Sequence, residues 1–77
     1  MEITLQLKGP LKKYGPGEEI FTYQLQTRQL SLLDLADQLK LPASSVSFVT
    51  VNDLKTELQT KVTGGETIVF YPRVAGG

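Results

Sequence analysis

The sequence contains neither cysteine nor histidine. It therefore cannot form disulfides, use a thiolate nucleophile, build a Cys/His zinc site or use imidazole for acid–base chemistry. A surplus of positive charge is also absent, because eight basic residues balance eight acidic ones. Proteins that bind nucleic acid or anionic membranes usually carry a basic stripe or patch. We therefore expect no binding to either, and no bound metal or cofactor.

Long hydrophobic runs are missing as well, so no segment reaches the length of a membrane span. The N-terminal stretch "MEITLQLKG" alternates in polarity, unlike a signal peptide, in which an apolar run follows a basic region. The chain has 77 residues, of which 40% are hydrophobic, as in a single small globular domain. The expected location is the cytoplasm.

In two segments near the N-terminus, apolar and polar residues alternate with a period of two, as they do in β-strands. Ile3, Leu5 and Leu7 are the apolar positions of the first, and "IFTYQLQ" is the second. Between them, Gly9-Pro10 ends the first strand, and "LKKYGPGEE" has the composition of a turn region. The pattern predicts a β-hairpin.

The period then changes to that of a helix in "SLLDLADQLK". The apolar positions follow the spacing i, i+3, i+4 and i+7, which gives one stripe of an amphipathic helix: Leu32, Leu35, Ala36 and Leu39. Ser31 and Asp34 are predicted to form an N-terminal cap pair, and Pro42 to end the helix near Leu41.

The C-terminal half contains β-branched and aromatic segments typical of strands, "SVSFVTV" and "TIVFY", with "LKTELQTKV" between them as a short strand or irregular turn. One helix can cover only one face of a sheet. The order of elements therefore predicts an α+β fold, a mixed sheet with a single helix across one face. In the last strand we expect Phe70 to face the core and Tyr71 to face outward.

Few residues outside the C-terminus suggest chemistry. Asp34 and Asp37 lie one helical turn apart, which is also typical of a solvated helix face. Ser44-Ser45 has no histidine to activate it, and the lysines of "LKKYG" are interpreted as part of a solvated loop. Neither a P-loop nor a dinucleotide-binding glycine pattern is present. The sequence therefore does not indicate an enzyme active site.

The chain ends in "FYPRVAGG". Gly76 and Gly77 lack a Cβ, so this pair can enter a narrow channel in any backbone conformation. The α-carboxylate of Gly77 is ionised at neutral pH and can attack an ATP α-phosphate held by a partner enzyme. Pro72 cannot donate to a sheet ladder and is expected to release the chain there. We predict a domain over residues 1–71 and a flexible tail over 72–77; an idle, frayed terminus is the alternative.

On these residues the chain resembles the ubiquitin-like sulfur carriers of the MoaD/ThiS type, and the small subunit of molybdopterin synthase is the closer match. The specific elements are Gly65-Glu66 in a turn, the strand Ile68 to Tyr71, then Pro72, Val74 and the terminal Gly-Gly. Arg73 stands where tails of the molybdopterin type usually have a second proline. The resemblance spans the chain, but only its last dozen residues are specific.

This resemblance implies a ubiquitin-like β-grasp fold and a carrier that is not itself catalytic. An E1-like enzyme would consume ATP to adenylate Gly77, and a sulfurtransferase or desulfurase would supply sulfur to make a thiocarboxylate. The tail would then enter the large subunit of molybdopterin synthase and deliver sulfur to a precursor of molybdopterin. The residues expected to contact partners are Tyr71, Pro72, Val74 and Ala75, next to the reacting Gly76-Gly77.

Three alternatives remain open at this point. The carrier could supply sulfur for thiamin, tRNA thiolation or cysteine synthesis. It could instead be a protein modifier joined through Gly77 to lysines. Finally, it could be an interaction module of the same fold with an idle tail.

Overall fold

The computed structural model describes residues 1–26 and 30–73. In chain order it contains β1 (Glu2–Leu7), β2 (Ile20–Gln24), α1 (Leu32–Gln38), β3 (Val46–Val51), β4 (Leu54–Thr56) and β5 (Thr67–Pro72). Short 3-10 helices span Gly9–Tyr14 and Ala43–Ser45. The first of these lies in the segment interpreted as a turn region, and Pro10 stands in its first turn, where a missing N–H costs nothing.

The strands form one mixed sheet in the order β2-β1-β5-β3-β4. The predicted hairpin is confirmed, since β1 and β2 pair antiparallel with Leu5 opposite Phe21. Strand β5 lies in the middle, parallel to β1 and antiparallel to β3. The predicted short strand is also present as β4, which pairs with the second half of β3. The α+β prediction of a mixed sheet with one main helix is therefore correct.

Helix α1 begins with the predicted cap. The Ser31 hydroxyl accepts a hydrogen bond from the Asp34 N–H at 3.1 Å, and the Ser31 N–H donates to the Asp34 carboxylate at 3.2 Å. This reciprocal pair satisfies two N–H groups at the helix start, one of them the Ser31 N–H before the first turn. Both hydrogen bonds to Ser31, the backbone one first, lower the pKa of the Asp34 carboxyl below 3.8.

The helix ends earlier than Leu41, where its end was predicted. Lys40 takes a left-handed conformation with φ of 60°, and its N–H bonds to the Asp37 carbonyl at 3.0 Å. The Leu41 N–H reaches back to the Ala36 carbonyl at 2.8 Å. These two bonds form a Schellman motif, which stops a helix by satisfying its last carbonyls before Pro42 is reached.

The core lies between α1 and one face of the sheet. Its largest fully buried side chains come from β1, β3, β5 and the helix: Ile3, Leu5, Leu7, Leu32, Leu35, Val49, Ile68 and Phe70. The apolar stripe predicted for the helix is buried at Leu32, Leu35 and Ala36, with Leu39 partly buried. Within the described ranges, the helices are too short and too polar to traverse a bilayer.

Candidate functional site

The sheet positions the last described residues, because β5 is central and has a partner strand on both sides. On the β1 side, the Lys8 N–H donates to the Phe70 carbonyl at 3.1 Å. On the β3 side, the Arg73 N–H donates to the Ser45 carbonyl at 2.9 Å. The main chain is therefore held to the sheet up to Arg73, four residues before the end of the sequence.

Pro72 is the last residue of β5 and lies opposite Val46 in the register of β3. On its other side it approaches Gly9, which has φ of 54°; a Cβ at Gly9 would lie 3.5 Å from Pro72 Cγ. Pro72 is partly buried in this position, whereas Arg73 is exposed. A proline in place of Arg73 would lack the N–H that bonds to Ser45, so arginine preserves one main-chain anchor that proline would lose.

The two aromatic residues of β5 face opposite sides, as predicted. Phe70 is fully buried in the core, and Tyr71 is partly buried on the face away from the helix. There Tyr71 stacks on Phe48 of β3, with ring centroids 4.3 Å apart and planes inclined by 13°. Phe48 lies opposite Tyr71 in the register, so the two rings form a cross-strand pair.

Two lysines flank this aromatic pair. The Lys8 Nζ lies 5.9 Å from the centroid of the Tyr71 ring, and the Lys55 Nζ lies 5.0 Å from that of Phe48. Both distances are within the range of cation–π attraction. We call these four residues (Lys8, Phe48, Lys55 and Tyr71) the aromatic patch. It lies directly beside the point where the tail leaves the sheet.

The sheet row next to the aromatic patch is closed to solvent, although none of the helices within residues 1–26 and 30–73 lies on that face. Val69 is 6% exposed and Thr50 is 8% exposed, and they are register partners on β5 and β3. The Thr50 hydroxyl has no hydrogen-bond partner among the described residues. The outer face therefore has a buried centre at positions that alternation alone would place in solvent.

The sequence singled out Tyr71 and Pro72, which the structure places at the end of β5, but it did not single out Phe48, Lys8 or Lys55. The phase of β3 held a signal for Phe48, because Val49 and Val51 face the core and their neighbour must face outward. The lysines carry no such signal, since only the pairing of strands brings them to the two rings. The other predicted site residues, Val74, Ala75, Gly76 and Gly77, lie outside the described residues.

The remaining candidates do not form a site. Asp37 is exposed, and Asp34 is engaged in the helix cap. Ser44 and Ser45 belong to the 3-10 turn at Ala43–Ser45. No group of three or more acidic side chains that could hold a metal ion occurs within residues 1–26 and 30–73.

No protein-family model matches the chain, and no curated protein sequence matches it significantly. Solved structures do match. Small archaeal modifier protein 1 from Haloferax volcanii is similar with a TM-score of 0.72 and 16% identity, covering 95% of this chain and 98% of that one. A putative molybdopterin converting factor, subunit 1, from Pyrococcus furiosus has a TM-score of 0.69 and 11% identity, with coverage of 95% and 98%.

A third structure holds subunits 1 and 2 of the molybdopterin-converting factor from Helicobacter pylori in complex. One of its chains matches with a TM-score of 0.62 and 25% identity. The match covers 100% of the present chain and 100% of that one. These TM-scores show that the chain shares its overall fold with all three structures. The chain therefore has the β-grasp fold of the ubiquitin-like sulfur carriers and modifiers, which its C-terminal residues resemble.

Proposed function

We propose that the chain is a sulfur carrier whose reacting group is the α-carboxylate of Gly77, and that it serves as the small subunit of a molybdopterin synthase. The single observation that carries this proposal is the arrangement at the end of β5. A central strand anchored on both sides leads into "VAGG", and an aromatic patch lies beside the exit. The structural likeness to molybdopterin converting factor subunits supports it.

The proposed chemistry has three steps. An E1-like enzyme lets the Gly77 carboxylate attack the α-phosphate of ATP, so that pyrophosphate leaves and an acyl-adenylate forms. A sulfur nucleophile at the hydrosulfide level then attacks the carbonyl, AMP leaves, and a thiocarboxylate remains. When an enzyme persulfide supplies the sulfur, a second thiol must cleave the resulting acyl disulfide. The thiocarboxylate finally transfers its sulfur to the acceptor in the large subunit, and water restores the carboxylate.

The chain's own residues bind and position in this scheme. The main-chain bonds at Phe70 and Arg73 fix where the tail starts, and a four-residue segment can extend at most about 14 Å from there. The aromatic patch supplies two partly buried aromatic rings, a residue type that protein interfaces favour at their centres, with two lysines at its rim. The partners supply ATP binding, the sulfur and the catalytic groups.

The experiment is incubation of the chain with the E1-like enzyme of the same genome, ATP and a sulfur source. We expect the intact mass to increase by one sulfur-for-oxygen exchange, located at Gly77 by fragmentation. A chain lacking Gly76-Gly77 is the control and should show no exchange. An unchanged mass for the complete chain would contradict the proposal.

A second function is favoured by the likeness to small archaeal modifier protein 1, whose TM-score exceeds those of both molybdopterin converting factor structures. In this function the adenylated Gly77 is joined to lysines of other proteins. Trypsin would leave no Gly-Gly remnant here, because the residue before Gly76 is alanine, after which trypsin does not cleave. Trypsin cleaves after Arg73 and would leave Val-Ala-Gly-Gly on the modified lysine, and finding this remnant would establish the modifier function.

A further inference from the structure

The point at which the tail leaves the sheet is held from two sides. On one side, the Arg73 N–H donates to the Ser45 carbonyl at 2.9 Å. On the other, Gly9 turns with φ of 54° beside the Pro72 ring, and a Cβ on Gly9 would lie 3.5 Å from Pro72 Cγ. Glycine takes this left-handed conformation without strain. We call these four residues (Gly9, Ser45, Pro72 and Arg73) the exit clamp.

Both sides of the exit clamp are fixed by bonds that do not involve the tail. The Ser45 N–H donates to the Pro42 carbonyl at 2.9 Å, and Val46 begins β3 directly after Ser45. On the other side, Lys8 precedes the glycine of the clamp, and its N–H donates to the Phe70 carbonyl at 3.1 Å. The clamp is therefore part of the folded domain and provides a fixed starting point for the tail.

The Arg73 N–H is the contact that decides how much of the chain is left to reach a partner. Four residues follow it, Val74 to Gly77, and each spans at most about 3.5 Å when extended. Proline has no N–H, so a proline at position 73, as in tails of the molybdopterin type, could not make the bond to Ser45. Such a chain would be free one residue earlier and would reach about 3.5 Å further.

The reach matters because of the chemistry in which the tail takes part. In the proposed function, an oxygen of the Gly77 carboxylate must approach the α-phosphorus of ATP to within about 3–3.5 Å, in line with the leaving pyrophosphate. The length of one tail residue is as large as this whole separation. Since a misplacement of about 1 Å can cost about 100-fold in rate, an error of one residue is severe.

We infer that the exit clamp is a positioning device that sets the reach of the tail, with the Arg73 N–H as its length-determining contact. This inference rests on the proposed function. It places the α-phosphate bound by the E1-like enzyme within about 14 Å of Arg73 in the complex. The Arg73 side chain is exposed, and the contact is made by its main chain, so the N–H rather than the guanidinium is what the position requires.

The test is a double-mutant cycle between the clamp and the length of the tail. Arg73→Pro removes the N–H that bonds to Ser45, whereas the matched control Arg73→Ala removes the same side chain and keeps the N–H. Each substitution is combined with deletion of Val74, which shortens the tail by one residue. Pyrophosphate release with ATP and the E1-like enzyme of the same genome gives kcat and the KM for the carrier.

The two backgrounds should respond differently to the deletion. With Arg73→Ala, deletion of Val74 should lower kcat about 100-fold, because the carboxylate falls short by about 3.5 Å. With Arg73→Pro, the released residue supplies the missing reach, so the deletion should lower kcat by no more than about tenfold. The KM should be the same in both backgrounds, since the aromatic patch is unchanged. A deletion that costs the same factor in both would show that the clamp does not set the reach.

Hydrogen exchange tests the clamp without any enzyme. In the unaltered chain the Arg73 amide should exchange at least about tenfold more slowly than in an unstructured peptide, because it is bonded to Ser45. Exchange at the unstructured rate would overturn the inference. Circular dichroism checks the fold of each variant. If Arg73→Pro does not fold, one alanine inserted after Val74 in the unaltered chain replaces it; kcat should then fall about tenfold, and an unchanged kcat would overturn the inference.

The outcomes separate this inference from the proposed function. Normal adenylation of the unaltered chain, together with equal costs of the deletion in the Arg73→Ala and Arg73→Pro backgrounds, would remove the inference alone. No adenylation of the unaltered chain would remove the proposed function and this inference together.

Discussion

The two faces of the sheet use aromatic residues in different ways. On the helix-covered face, Phe70 is fully buried and packs within the core. On the outer face, its neighbour Tyr71 is only partly buried and rests on Phe48. Burial of a complete side chain stabilises a fold much more than a partly exposed stack does. One face therefore holds the domain together, while the other leaves two aromatic rings partly exposed.

The largest expected effect comes from substitution on the inner face. Phe70→Ala leaves a cavity in the core and should lower the free energy of unfolding by about 3–5 kcal/mol. In a domain of this size such a loss can unfold the protein, so Phe70→Leu provides a milder variant. Urea denaturation followed by circular dichroism measures both.

Tyr71→Ala is the matched control on the adjacent position of the outer face. Its stability cost should be about 1–2 kcal/mol, because the side chain is only partly buried. Equal costs for Phe70→Ala and Tyr71→Ala would contradict the division of roles between the two faces.

A double-mutant cycle measures the interaction energy between the two stacked rings on the outer face. Phe48→Ala, Tyr71→Ala and the double variant should give a coupling energy of about 0.5–1.5 kcal/mol, since the stacked rings contribute beyond their buried area. The KM of the E1-like enzyme for the carrier should rise in both single variants. A coupling energy near zero would mean that the rings are neighbours without stabilising each other.

The smallest effect on stability is expected at the N-terminal cap of helix α1, the helix that covers the inner face of the sheet. The pKa of Asp34 is lowered in the folded state, so the folded state holds this proton less tightly than the unfolded state does. The cap's contribution is therefore complete above pH 3.8 and is lost as the pH falls through the lower, folded-state pKa. Urea unfolding well above and well below pH 3.8 should show a small extra loss relative to Asp34→Asn, which cannot titrate.

Ser31→Ala provides the second comparison at this cap. Removal of the hydroxyl should cost about 1 kcal/mol at neutral pH. It should also reduce the pH dependence that Asp34 contributes, since the Ser31 side chain helps to lower that pKa. A pH dependence identical in the unaltered chain and in Asp34→Asn would show that the cap is not coupled to titration.

Much of the fold was predictable because its signals are local. The period-two pattern of Ile3, Leu5 and Leu7 and the helical stripe of α1 follow from which side chains must be buried. The Ser31–Asp34 cap depends on residues three positions apart. The end of α1 was less predictable, because the left-handed conformation of Lys40 is unusual for a residue other than glycine or asparagine.

The residues of the candidate site also divide into those with a local sequence signal and those without one. Pro72 and the terminal Gly-Gly lie within the last six residues, and the outward direction of Tyr71 follows from the alternation of its own strand. The other members of the aromatic patch come from three separate parts of the chain: Lys8 follows β1, Phe48 lies on β3 and Lys55 lies on β4. Residues so far apart in the chain meet only through strand pairing, which no local pattern specifies.

By itself, the amino-acid sequence determined the class of the fold, the burial of Phe70 and the chemistry open to a chain without cysteine or histidine. These depend on residue type and on spacing over a few positions. Three features follow from the tertiary structure alone: β5 is central, Arg73 is bonded to Ser45 through its main chain, and β4 pairs with only the second half of β3. Those features arise from long-range pairing, in which each strand's neighbours are set by the packing of the whole sheet.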